Sequence, residues 1–280
     1  MRTRNLRKFK DRLAEVNDQL CYHFFASEQA RPTIDPHVAA SPEGFVSNTF
    51  PTNSFGPRID IRNKFLPKFQ KAATKTLGGL VLISAVEYIL AYIDEIQSLR
   101  AELTPTSADA LTHDKVEEQI SLKLASWGFA PHTAPTRSLT YLRLRRNHIA
   151  HVNHEPHPSL KAVTKNYGGL LSNYWAQHPT TLPGLSFTSQ DFSVSTEQEA
   201  FSLLNLCRVT MEKYDTLFCS TLSQPHLETF ALHYFASTNM SVRGRSLADR
   251  YRKFSSYFRS NYGTQLAMTA NEFELAWVNA

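Results

Sequence analysis

Cysteine is scarce: Cys21, Cys207 and Cys219 are the only three in 280 residues. They are too few and too scattered for a disulfide framework or a C-x-x-C metal knuckle, which fits a reducing compartment. Glycine-rich phosphate loops are missing too; no G-x-G-x-x-G, no Walker-type loop and no H-E-x-x-H occurs, which removes the common local signatures for dinucleotides, nucleoside triphosphates and catalytic zinc. Long apolar runs are also lacking. The most apolar stretch, Leu77 to Ile93, is interrupted by Glu87; at about 17 residues it is short for a membrane span and reads as a buried core helix. Behind the basic N-terminus stand Asp11, Glu15 and Asp18 rather than an apolar segment, so neither a secretory signal nor a transit peptide is expected. The expectation is a cytoplasmic chain without membrane contact.

What is present is material for a core. A composition of 42% hydrophobic, 11% aromatic and 20% charged residues excludes wholesale disorder. The net charge of +5 is unevenly spread. Arg2, Arg4, Arg7, Lys8, Lys10 and Arg12 stand against Asp11 alone, and Arg243, Arg245, Arg250, Arg252, Lys253 and Arg259 against Asp249 alone. The middle of the chain is correspondingly acidic. Two basic ends suit phosphate neutralisation on a polyanion, whereas two amphipathic helices with solvated basic faces account for the same charges.

The hydrophobic period is overwhelmingly helical. Leu6, Phe9, Leu13, Val16 and Leu20 predict a helix over 5–27, whose basic first turn opposes the helix dipole unless an anion or a partner neutralises it. Five prolines between Pro32 and Pro57 predict an irregular connection, ordered only where it packs on something. Further helices are expected from Ile59 to Arg100 with an interruption at Gly78–Gly79, from Asp114 to Trp127, and from Ser138 to about His154, after a turn at Thr104–Pro105. Residues 159–195 read as mixed, with room for a short strand or hairpin between Leu185 and Val194. Thr196 with Glu199 is a capping-box pattern opening a helix to Leu222, and a last helical block, Leu227 to Tyr262, divides near Arg243–Gly244. The fold class is therefore all-α, organised as an N-terminal helix and connection (1–57), a helical core (58–223) and a basic helical extension (224–280).

The chemistry-bearing text is Leu142-Arg143-Leu144-Arg145-Arg146-Asn147-His148-Ile149-Ala150-His151. Arg146, Asn147, the Ile149-Ala150 pair and His151 together resemble the R-x4-H signature of the HEPN superfamily, and Ser84-Ala85-Val86-Glu87-Tyr88 resembles an early core helix of those domains. The resemblance spans about residues 60–220. It implies a HEPN-like helical bundle and metal-independent RNA cleavage, without cofactor or metal, by a homodimer that brings two motifs together. It also implies a prokaryotic defence or toxin setting in which an antitoxin or regulatory protein is a further partner.

The residue types suit that reaction on their own. Attack of a ribose 2′-OH on the adjacent phosphate needs proton transfer and stabilisation of a dianion; a histidine does the first and a bidentate arginine the second. His151 is thus the candidate proton-transfer residue, Arg146 the phosphate clamp and Asn147 an orienting group. Glu87, if buried, needs a partner such as Arg146, His151, a hydroxyl or water. Arg143, Arg145, His148, Arg243, Arg245, Arg250 and Arg252 are candidate RNA contacts or solvated charges. Spacing raises an objection, because five residues on a regular helix turn by about 500° and leave Arg146 and His151 some 140° apart; a composite dimer site, a long arginine reach or a helix irregularity resolves it. The recurrence of His148, His151, His154 and His157 also raises a metal site, which helical drift and Pro156 disfavour. Alternative functions are a non-catalytic HEPN module for RNA binding or assembly, and a sensor or adaptor for a phage or partner protein. Tyr251, Tyr257, Phe258 and Tyr262 fit core packing better than base stacking.

Overall fold

A computed structural model describes residues 1–103, 116–126, 128, 130, 133–151 and 155–278. The Thr104–Pro105 turn, the expected helix start at Asp114, Trp127 and His154 lie outside the described residues. The fold is all-α, with no strand among the described residues and one isolated bridge between Phe45 and Arg62. The anticipated strand within 159–195 does not form. The chain makes two compact units, Met1–Arg12 with Glu87–Thr140 and Arg208–Ala280, and Leu13–Val86 with Tyr141–Cys207.

Eleven α-helices are described: α1 Arg4–Ala40, α2 Val46–Thr49, α3 Gly56–Ile59, α4 Leu66–Leu103, α5 Val116–Ser126, α6 Ala134–Ala150, α7 Pro158–Ala176, α8 Glu197–Ser220, α9 Gln224–Thr238, α10 Leu247–Tyr262 and α11 Ala270–Val278. Among those that depart from expectation, α1, α4 and α7 run through residues expected to break them. Helix α1 runs on through Pro32 and Pro36. Both prolines are exposed and four apart, so the carbonyls they leave unbonded face water on one side of the helix. Helix α4 is not broken at Gly78–Gly79, and α7 passes through Gly168–Gly169. At Gly78 a Cβ would meet Val194 Cγ1 at 2.5 Å, and at Gly168 it would meet the Phe187 carbonyl oxygen at 2.6 Å. These glycines admit close packing inside helices rather than ending them.

In the first unit, Thr3 caps α1, accepting from the Leu6 N–H at 3.1 Å. The Thr3 backbone N–H and hydroxyl both donate to the buried Asp215 carboxylate, as does Tyr92 Oη at 2.9 Å. Asp215 therefore supplies the negative charge that the basic first turn lacks. Burial pushes its pKa up, and the bonds from Thr3 pull it back. Helices α9, α10 and α11 close over Leu227, Phe235, Phe254, Phe258, Tyr262 and Phe273, with Tyr251 and Tyr257 packed against them, so these rings are core. Glu228 is buried and its carboxylate accepts from the backbone N–H groups of Ala267 and Met268, tying down the approach to α11. Thr269 and Glu272 form a reciprocal capping box at the start of α11.

In the second unit, the proline-rich connection is ordered. Asn63 is fully buried and its Nδ2 donates to the Ser41 carbonyl and Thr49 Oγ1, both at 2.7 Å, while Glu43 pairs with Arg62 and Lys64. The segment from Asn63 to Leu103 is long and apolar enough to cross a membrane, and half of its most apolar window is buried inside the protein. Gly78 and Gly169 offer a direct stability test. Gly78→Ala overpacks Val194 and should cost about 1–3 kcal/mol, whereas Gly169, with nothing within 4 Å of a built Cβ, should gain about 0.5–1 kcal/mol as alanine. Chemical denaturation separates the two; equal effects would contradict this packing.

Candidate active site

Helix α6 carries the motif, and its successive residues have different fates. Ser138, Tyr141, Leu142 and Arg145 recur at helical spacing, and all four are buried. Arg145 is not an RNA-facing fringe. Its side chain is 1% exposed, and it is one of the largest fully buried side chains of the protein. Nε donates to the Phe192 carbonyl at 2.9 Å, Nη1 to Tyr141 Oη at 2.8 Å, and Nη2 to the Ser193 carbonyl at 2.7 Å and Glu199 Oε1 at 2.5 Å. Burial opposes the charge, but Tyr141 and Glu199 more than offset it and hold the guanidinium above the ordinary arginine value. The apolar row of α6 passes through Arg145, so its charge is matched inside the fold.

The capping box that opens α8 is diverted by the same contact. Thr196 Oγ1 accepts from the Glu199 N–H at 3.2 Å. Glu199 does not return the bond to Thr196; its Oε2 takes the Ser195 N–H at 3.0 Å and its Oε1 takes Arg145.

Arg146, next along the helix, is half-buried, and its Nη1 donates to Asn147 Oδ1 at 2.8 Å. His151 is exposed and stands just past the last residue of α6, its N–H still bonded to the Asn147 carbonyl at 3.0 Å. Asn147 thus joins the two ends of the motif, through its side chain to the arginine and through its backbone to the histidine. Arg143 is half-buried. Glu87 is exposed rather than buried.

His148 is better placed than its sequence context suggested. It lines a cleft of about 440 Å³ with Lys75, Thr76, Leu80, Ile149 and Val194. Its pKa lies below the ordinary histidine value, first because of burial, then because of Arg145 and Lys75, with Asp191 acting in the opposite sense. Lys75 and Thr76 were not singled out by the sequence, although Lys75 stands one helical turn before Gly79. Among the described residues no three His, Cys, Asp or Glu side chains gather as an ion site. His157 caps α7, its Nδ1 accepting from the Ser159 N–H at 3.2 Å.

The basic ends belong to the first unit and are partly consumed there. Lys8 pairs with Glu95 at 2.5 Å and Lys10 with Glu212 at 2.6 Å. Arg2 donates to the Ser260 carbonyl and Arg7 to Ser260 Oγ, so the N-terminal cations meet the C-terminal end of α10, the favourable end of a helix dipole for positive charge. Arg250 lies over Trp277 and donates to the Arg245 carbonyl, and Arg252 pairs with Asp249. Arg243, Arg245 and Arg259 are exposed.

No family model, curated protein or solved structure matches the chain.

The contrast between adjacent arginines is measurable. Arg145→Ala leaves Glu199 buried without its cation and should cost about 3–5 kcal/mol, while Arg146→Ala should cost about 1 kcal/mol or less. Urea unfolding monitored by circular dichroism distinguishes them, and similar losses for both would contradict the assignment.

Proposed function

We propose that the chain is a metal-independent endoribonuclease acting in the cytoplasm. The observation that carries this reading is the pairing of Arg146 with Asn147 beside the exposed His151. A guanidinium anchored by a neighbouring amide is oriented before substrate arrives, which is how a clamp gains on a free side chain. His151 in solvent is free to move a proton between the 2′-OH, water and the departing 5′-oxygen.

In the reaction, the 2′-OH loses its proton to a histidine, the alkoxide attacks phosphorus, and Arg146 holds the equatorial oxygens as negative charge builds. The 5′-oxygen leaves with a proton, giving a 2′,3′-cyclic phosphate and a 5′-OH. Helical spacing keeps Arg146 and His151 of one chain on different faces, which favours a homodimer in which one copy clamps and the other transfers protons. The exposed Arg243, Arg245 and Arg259 are suited to holding the RNA backbone, and the resemblance noted above favours a defence or toxin role.

Incubation with mixed RNA in EDTA tests this. Wild type should cut, and Arg146→Ala and His151→Ala should each lose at least about 100-fold in rate, the scale of a lost proton-transfer or charge-stabilising group. Absence of cleavage by the folded wild type, or undiminished cleavage by both variants, would overturn the reading in favour of a non-catalytic helical module.

A further inference from the structure

The cleft beside the motif has two kinds of wall. Leu80, Ile149 and Val194 give it an apolar side; Lys75 and Thr76 from α4 and His148 from α6 give it a polar one. Its volume of about 440 Å³ falls within the range of small-ligand sites. Lys75 is exposed and forms no ion pair within 4 Å among the described residues, while the hydroxyl of Ser193, which also lines the cleft, is already donated to Asp191 at 2.6 Å. Nδ1 of His148 is buried with no hydrogen-bond partner among the described residues, so a ligand must meet the opposite edge of the ring, which bears Nε2. The charged groups acting on His148 are Arg145 on its own helix, Lys75 on α4 and Asp191 on the segment before α8. Arg145 is already paired with Glu199, and Lys75 acts on Asp191 as well as on His148.

A half-buried histidine beside an exposed lysine and a threonine hydroxyl gives the cleft a polar wall suited to an anion. We propose that this cleft binds one nucleotide unit, its phosphate held by Lys75, Thr76 and His148 and its base laid against Leu80, Ile149 and Val194. The choice of a nucleotide among amphipathic phosphates rests on the nuclease reading; the anion preference does not. Phosphate entry brings the negative charge that favours protonated His148, so binding takes up a proton and strengthens as pH falls.

The probe is the dinucleotide d(TpT), which keeps one charge across the working pH range and has no 2′-OH to be cut. Calorimetric titration of the full chain should show saturable binding, weakened about tenfold in Lys75→Ala, the scale of one charged contact. Between about pH 7.5 and 5.5, wild type should tighten by up to about tenfold per unit, and His148→Gln should lose that dependence. Thymidine, which has no phosphate, should be insensitive to Lys75→Ala. The subsite is overturned if the folded protein shows no saturable d(TpT) binding, or if both variants bind as wild type at every pH. Cleavage of RNA without d(TpT) binding would remove the subsite alone; d(TpT) binding without cleavage would remove the nuclease reading alone.

Discussion

The buried Arg145 guanidinium is the constraint on which the second unit depends. A charge removed from water is tolerated only when its hydrogen-bonding capacity is met, and here a carboxylate, a phenol and two carbonyls meet it. Those partners come from α6 itself, from residues 192 and 193, and from the first turn of α8. One side chain therefore fixes the irregular segment before α8 against the helix that carries the motif. The same register turns Arg146, Asn147 and His148 away from that row, leaving them half-buried and within reach of a ligand. The functional reading of Arg146 thus leans on the structural commitment of its neighbour.

The first unit solves a comparable problem at the chain's start. Six basic residues near the N-terminus oppose the dipole of α1, and the compensation comes from Asp215, more than two hundred residues later in the sequence. Tyr92 shares that carboxylate, and burial holds its phenol well above the ordinary tyrosine value, so it remains a hydrogen-bond donor. Arg2 and Arg7 then reach the end of α10. The charge asymmetry visible in the sequence is accordingly part structural and part available for a polyanion, with Arg243, Arg245 and Arg259 as the exposed remainder.

Helical periodicity made the fold class legible, along with the course of α8 and the division between α9 and α10. Prolines and glycines misled where their local cost is outweighed by tertiary context: Pro32 and Pro36 sit on an exposed helix face, and Gly78 and Gly168 accept a neighbouring atom that any Cβ would displace. Helix α11 was not anticipated, although Thr269 and Glu272 carry a capping pattern and Phe273 with Trp277 a helical spacing. At the candidate site the motif residues were visible, but a row count along α6 was needed to separate Arg145 from Arg146. The cleft joins three segments that lie about 45 to 120 positions apart, a proximity that no local pattern encodes.

A double-mutant cycle on Arg145→Ala and Glu199→Ala, read by equilibrium denaturation, tests most directly whether the buried pair organises this unit. Each single change leaves an unmatched buried partner, and the double change removes both. The account predicts a coupling energy of at least about 2 kcal/mol, with the double variant little less stable than either single one; losses that add within about 0.5 kcal/mol would contradict it.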